Sequence, residues 1–404
     1  MNAKQNADRL NAVRLARAER LAKASLLLRG LLTRKMSNAT SAEPSDALKD
    51  AAFQRAHWPV DGASPVNGTA SPRATSADMP EALRSFLARI GQLGPNTALG
   101  GGRARPTLEP LPEGAHFLEK VYANQAGSRT YKLYVPSRYT GQPLPLIVML
   151  HGCTQSPDDF AAGTRMNALA EEHLFLVAYP GQSATANTSR CWNWFSPEDQ
   201  HRDQGEPSLI AGITRQIMRD YPVDPRRVYV AGLSAGGAAA AIMGSEYPDL
   251  YAAIGVHSGL ACGSARDIPS AFAAMKQGGP TAGRLRRNDR PRKPAPAIVF
   301  HGDRDPTVHP INGDQVAADS VAGACLQTTI RQDRSPGGIA YTCTVHADAG
   351  GQSVLEQWVL HEAGHAWSGG SLSGSYTDPR GPDASREMLR FFLEHPMDAA
   401  APRA

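Results

Sequence analysis

The chain has 404 residues, more than one compact domain usually needs, so one large domain with extra sequence, or two domains, is expected. Hydrophobic residues make up 41% and charged residues 20%, an ordinary balance for a soluble fold with a sizeable core, and no run approaches the ~18 apolar residues of a membrane span. The net charge of +4 is uneven: residues 1–36 hold nine Lys/Arg against Asp8 and Glu19, which puts +7 there and about −3 on the rest and argues against nucleic-acid binding by the main domain.

The first segment, 1–36, reads as a basic helix. Leu10, Val13, Leu21, Leu28, Leu31 and Leu32 share a sector of about 100°, broken by Arg14 and Arg17, so the helix is either solvated, docked on a partner, or in peripheral contact with a membrane or polymer granule. Residues 37–112 are rich in Ala, Ser, Pro and Gly and read as a flexible linker, with a short helix around "EALRSFLARIG". The main domain is expected over 113–396, followed by a tail, 397–404.

Within that domain "YKLYVPS" and "PLIVMLHG" predict strands, "DDFAAGTRMNALAEEH" one helix with Asp158 near its start, and "FLVAYP" a strand. The segment "EPSLIAGITRQIMRDY" places Leu209, Ile213 and Ile217 on one helical face. "RVYVAGLS" runs as a strand into the helix "AGGAAAAIMGSEY"; "AAIGVHSG", "PAIVFHG" and "VLEQWVL" are further strands, and "ASREMLRFFLEH" a closing helix. Strands alternating with helices, several of them apolar throughout, predict an α/β fold: a mostly parallel sheet with helices on both faces.

"GLSAG", residues 232–236, lies at a strand-to-helix junction, where a sharp turn lifts the Ser234 hydroxyl clear of the sheet and small residues let the backbones approach. A serine is a poor nucleophile until a base takes its proton, and the base needs a carboxylate to orient it. "FHGDRDPTV" offers Asp303 and Asp305 after one strand, and "VLHEAGHAW" offers His361 and His365 after the next. Asp305, two residues further along its loop and followed by Pro306, is the better placed carboxylate. Oxyanion donors are expected at the N–H of Ala235, just after the nucleophile, and of Cys153 in "HGCTQS".

"HEAGH" also fits the H-E-x-x-H pattern of zinc proteases, with Glu387 or Glu394 open as a third ligand. The pattern needs a helix, yet "VLEQWVL" before it alternates like a strand, Gly364 disfavours a helix by about 1 kcal/mol, and "SGGSLSGS" follows at once. His365 is therefore expected as a general base and His361 as a strand-end histidine, with no metal.

Five cysteines show no C-x-x-C pair. Cys325 and Cys343 flank the turn-like "QDRSPGG" and could face each other across a hairpin, and Cys153 could meet Cys191, with the pairing left open; any disulfide requires an oxidising compartment. In "CWNWF", Trp192 and Trp194 are expected on a substrate cleft with Phe195 towards the core, and Trp367 as a further cleft wall. "GRLRRNDRPRK" (283–293) reads as a solvated loop.

"LIVMLHGCTQSPDDFA", "RCWNWF", "GEPSLIAGITRQIM", "VYVAGLSAGGAAAA", "HGDRDPTV", "GHAWSGG" and "TDPRGPDASREMLRFF" occur in order over about 117–395 and together resemble the polyhydroxybutyrate depolymerase family of α/β-hydrolase esterases, related to feruloyl and acetylxylan esterases. That resemblance implies Ser234, Asp305 and His365 as the triad, Cys153 and Ala235 as oxyanion positions, no cofactor, and a short-chain 3-hydroxyalkanoate ester or polyester as substrate. A carbohydrate-linked ester is the alternative, and a granule- or membrane-docked binding protein a reading of another class. Family members are typically secreted, which implies an extracellular location; the first residues show no apolar signal-peptide core, so a cytoplasmic, granule-associated protein is the other expectation.

Overall fold

Along the run Leu144–Leu150 every residue is buried, and successive side chains enter two different cores: Leu146, Val148 and Leu150 one, Ile147 and Met149 the other. Side chains of a strand alternate between faces, so a strand with no polar position belongs at the centre of a sheet covered on both sides. A computed structural model of the chain describes residues 109–280, 294–321 and 324–398 and contains that sheet. The basic segment 1–36, most of the expected linker, the basic stretch 283–293 and residues 399–404 of the tail lie outside the described residues.

The described elements run β1 (His116–Asn124), β2 (Gly127–Val135), β3 (Leu144–Leu150), α1 (Pro157–Thr164), α2 (Met166–His173), β4 (Leu176–Pro180), α3 (Gly205–Asp220), β5 (Val223–Leu233), α4 (Ala235–Glu246) and β6 (Ala253–His257). They continue with α5 (Ile268–Gln277), β7 (Ala297–Gly302), α6 (Ile311–Ser320), β8 (Gln327–Arg334), β9 (Ala340–Ala347), β10 (Ser353–Leu360), the short pair β11 (Trp367–Ser368) and β12 (Thr377–Asp378), and α7 (Ala384–Glu394). The ten-stranded sheet has the order β1-β2-β4-β3-β5-β6-β7-β10-β9-β8. From β4 to β10 all neighbours are parallel, so β3, β5, β6, β7 and β10 end at the same edge. The antiparallel pairs flank this block at both sides.

Helices α3 to α6 supply the first core, with Ile213, Ala238, Ala271 and Val316 among its members. Helices α1, α2 and α7 supply the second through Phe160, Met166, Leu169, Met388 and Phe391. Phe392 stacks on Tyr229 of β5 with ring centroids 4.9 Å apart. The expected α/β architecture with helices on both faces is the observed one.

Two local expectations are corrected. The single helix over 158–173 is two, because Arg165 takes a left-handed conformation (φ 55°) and the Gly163 carbonyl accepts a hydrogen bond from Ser371 N–H at 2.8 Å. Cys325 and Cys343 do not pair. Strand register sets Cys343 opposite Arg331, whereas Cys325 lies beyond Gln327, which is opposite Ala347; Cys343 is buried and Cys325 exposed.

Helix α7 is clamped to β10 by charge. Arg390 contacts Glu356 Oε2 at 2.6 Å, and the Trp358 indole donates to the same oxygen at 3.2 Å, so the Glu356 carboxylate is buried only because it is paired. Arg390→Met should lower unfolding stability by about 2–4 kcal/mol in urea titration, and adding Glu356→Gln should recover most of the loss, since the carboxylates then left unpaired, Glu387 and Glu394, reach solvent. An unchanged midpoint for Arg390→Met would show that the clamp contributes nothing.

Candidate active site

At the edge where the parallel strands end, β5 passes into α4 through Ser234, whose φ of 57° and ψ of −119° are costly for any side chain. The two glycines of "GLSAG" make the turn possible. A Cβ on Gly232 would overlap the Gly236 carbonyl, and one on Gly236 would overlap the Leu150 carbonyl oxygen at the end of β3. Ser234 N–H donates to His257 O at 2.9 Å, tying the turn to the end of β6. Ala235 begins α4, so its N–H is among the helix's first donors, which have no intrahelical acceptor.

Asp305 and His365 meet across the loops that follow β7 and β10. His365 Nδ1 lies 2.7 Å from Asp305 Oδ2, and Asp305 Oδ1 accepts from the N–H groups of Thr307 (2.8 Å) and Val308 (2.9 Å). Burial alone would raise the Asp305 carboxyl, but the charge of His365, hydrogen bonds from His301 and His365, and the charge of His301 together hold it well below the usual carboxylate range. It is a fixed anion facing Nδ1 of His365.

Asp303 takes a different partner. It accepts from His361 Nδ1 at 3.0 Å and from Glu362 N–H at 2.6 Å, and His361 Nε2 lies 2.8 Å from Thr342 Oγ1. Residues 361–365 form a turn in which Glu362 has φ 60°, so the helical face an H-E-x-x-H zinc site needs does not exist there.

His257 joins the two halves. Its Nε2 accepts from Ser368 N–H at 3.0 Å, and its ring stacks between Trp367 (5.2 Å) and Phe300 (5.7 Å). Burial first, then the charges of His301 and His365, lower its pKa to about 3 against the opposing pull of Asp305, so it stays a neutral linker.

On the far side of Ser234 lies the loop after β3. Gly152 N–H donates to Gln155 Oε1 (2.9 Å), Thr154 N–H to Ser189 O (2.7 Å) and Gln155 N–H to Gly152 O (3.3 Å). Cys153 N–H is the one donor of residues 152–155 without an acceptor among the described residues. Cys153 is disulfide-bonded to Cys191, a pairing the sequence left open.

The tryptophans are a correction. Trp192, Trp194 and Trp367 are 0%, 6% and 1% exposed, so they support the site from behind instead of walling a cleft. The Trp192 indole donates to His151 O (3.1 Å) and that of Trp367 to Ser385 Oγ (3.0 Å), while Trp194 packs edge-on to Phe195. Sequence reasoning missed His257, Gln155, Gln182 and Glu206, whose roles come from buried hydrogen bonds that no spacing announces.

Residues 129–334 match the family described as Esterase PHB depolymerase. The poly(3-hydroxyalkanoate) depolymerase C of Paucimonas lemoignei is 34% identical over 241 residues, 57% of this chain and 57% of that protein. Feruloyl esterase B of Neurospora crassa is 34% identical over 140 residues, covering 34% of this chain and 46% of its own length. The chain thus spans about half the length of the curated relatives it matches. Among solved structures, an acetyl xylan esterase from Aspergillus awamori shares the fold with a TM-score of 0.53 at 20% identity, over 66% of this chain and 94% of that one. With a family match that covers half of its residues and an α/β-hydrolase fold around a strained serine, this chain belongs to the esterase PHB depolymerase family.

Proposed function

We propose that the protein is a carboxylic ester hydrolase in which Ser234 attacks the ester carbonyl, His365 Nε2 takes the serine proton and returns it to the leaving alcohol, and Asp305 holds Nδ1–H and stabilises the imidazolium. The 2.7 Å contact between His365 Nδ1 and Asp305 Oδ2, at the same sheet edge as the strained Ser234, carries the reading. The oxyanion of each tetrahedral intermediate is received by the N–H groups of Cys153 and Ala235. Water activated by the same base then cleaves the acyl-enzyme.

With p-nitrophenyl butyrate, Ser234→Ala and His365→Ala should lower kcat by at least about 1,000-fold, and Asp305→Asn by about 1,000- to 10,000-fold through loss of the correct tautomer. His361→Ala, which removes the outer pair with Asp303 and the contact with Thr342 Oγ1, should keep turnover within about threefold, as an exposed ion pair contributes little. Full activity of Ser234→Ala would end the reading.

The substrate class is a short-chain 3-hydroxyalkanoate ester, oligomeric or polymeric. This is supported by the relative named a poly(3-hydroxyalkanoate) depolymerase matching 57% of the chain, against 34% for the one named a feruloyl esterase. A trimer of 3-hydroxybutyrate should be hydrolysed with a kcat/KM at least about tenfold above methyl ferulate or acetylated xylan, a difference of about 1.4 kcal/mol in transition-state binding. The reverse order would move the assignment to carbohydrate-linked esters. The Cys153–Cys191 bond supports work in an oxidising compartment, which accords with secretion.

The basic segment 1–36 is assigned a docking role on granule or anionic membrane surfaces, on its charge alone. Replacing Arg14, Arg17, Arg20 and Lys23 by Gln should abolish co-sedimentation with polyhydroxybutyrate granules or anionic vesicles while soluble ester turnover is unchanged. Undiminished sedimentation would remove the role.

A further inference from the structure

A buried polar cluster outside the triad surrounds Glu206, in the first turn of α3, which is 5% exposed. Its Oε1 accepts from Asn193 Nδ2 (2.8 Å), from Gln182 Nε2 in a very short bond, and from the Arg129 guanidinium at 3.4 Å; Oε2 accepts from Asn193 N–H at 2.7 Å. The acceptors of these partners lead to one place. Gln182 N–H donates to His151 Nε2 (3.1 Å), Gln182 Nε2 also reaches Cys191 O (2.9 Å), and Cys191 is covalently joined to Cys153. One carboxylate therefore grips the Gly152–Cys153 backbone by two routes: through Gln182 and His151, and through Asn193, Cys191 and the disulfide.

We infer that Glu206, as an ionised carboxylate, is a positioning residue that holds the Cys153 N–H in place for the oxyanion. The inference rests on the proposed role of that N–H in ester hydrolysis. Three donors converge on Oε1, and only an anionic oxygen accepts them all. Gln182 and Asn193 cannot flip to help, because their own carbonyl oxygens are taken by Ser183 N–H and Asn187 Nδ2. A protonated or amidated residue 206 places a hydrogen among these donors, and the donor set must separate.

The groups facing Glu206 are Asp199, which accepts from Glu206 N–H at 2.8 Å, Arg129 from β2, and His151 through Gln182. Burial, then the charge of Asp199, raises the Glu206 carboxyl to about 7, against the bonds from Gln182, Asn193 and Arg129. Burial raises Asp199 as well, and it lowers His151 to about 4, so His151 stays neutral across the range that matters. With a raised carboxyl pKa, the ionised form is lost as pH falls through this value, so the grip loosens on the acid side.

The test is log kcat/KM against pH, from about pH 5 to about pH 8, for wild type, Glu206→Gln and Ser234→Ala on p-nitrophenyl butyrate. Wild type should fall on the acid side with a limiting slope of two, one proton for the base and one for Glu206. Glu206→Gln should fall with a slope of one from a plateau kcat about 10- to 100-fold lower, with KM within about twofold, since a displaced oxyanion donor acts on the transition state. An unchanged plateau kcat in a folded Glu206→Gln overturns the inference; if that variant does not fold, Gln182→Met, which cuts the route through His151, is read in its place, and an unchanged plateau kcat there overturns it. Activity retained by Ser234→Ala would instead be the failure of the hydrolase reading itself.

Discussion

The lack of room between the ends of β3 and β5 governs this site. No Cβ fits at Gly232 or Gly236, because the first turn of α4 sits directly against the Leu150 and His151 carbonyls. That contact accompanies the positive φ of Ser234 and, by the same approach, sets the loop after β3 beside the first N–H of the helix. Strain of this kind, about 1–3 kcal/mol, persists only where the surroundings over-determine it. Here they do: Ser234 N–H is held by His257 O, Ser234 O by Ala238 N–H, and the strands on either side are wholly buried.

Around that constraint the protein builds its loops from neutral connectors and confines net charge to a few sites. His257 and His151 are both fully buried imidazoles whose pKa burial lowers, to about 3 and about 4. Each accepts a backbone N–H at Nε2, from Ser368 and Gln182 respectively, and so fastens a functional loop to a strand end. A charged side chain in either place would add a competing field beside Ser234; a neutral imidazole offers a donor and an acceptor without one.

Much of this was legible in the sequence because it depends on backbone and periodicity. The apolar runs of β3, β5, β6 and β7 announce central parallel strands, and G-x-S-x-G at a strand-to-helix junction announces the turn. What was not legible lies in pairings between distant segments. Strand β8 is exposed along its whole length, so it carries no hydrophobic period to read, and the break at Arg165 depends on contacts from residues 371–377. The tryptophans misled because an aromatic cluster in a Gly- and Asn-rich loop reads the same whether its rings face solvent or the core. Glu206 was invisible for a related reason: an acidic residue in the first turn of a helix is the ordinary way to complement the helix dipole.

The chain contains the same chemical pair twice, and the two differ in what surrounds them. Asp303–His361 and Asp305–His365 come from the same two loops, at 3.0 Å and 2.7 Å. The side chains of the first are 36% and 39% exposed, those of the second 0% and 8%. In water two unit charges 4 Å apart attract by about 1 kcal/mol, and near a protein surface by about four times that. The outer pair therefore orients a turn and little else. The inner aspartate, stripped of water and fixed by the N–H groups of Thr307 and Val308, is the one suited to stabilise the transient imidazolium of the proposed hydrolysis. Residue identity is equal in the two pairs; the two-residue advance from Asp303 to Asp305, which carries the carboxylate beneath the loop, makes the difference.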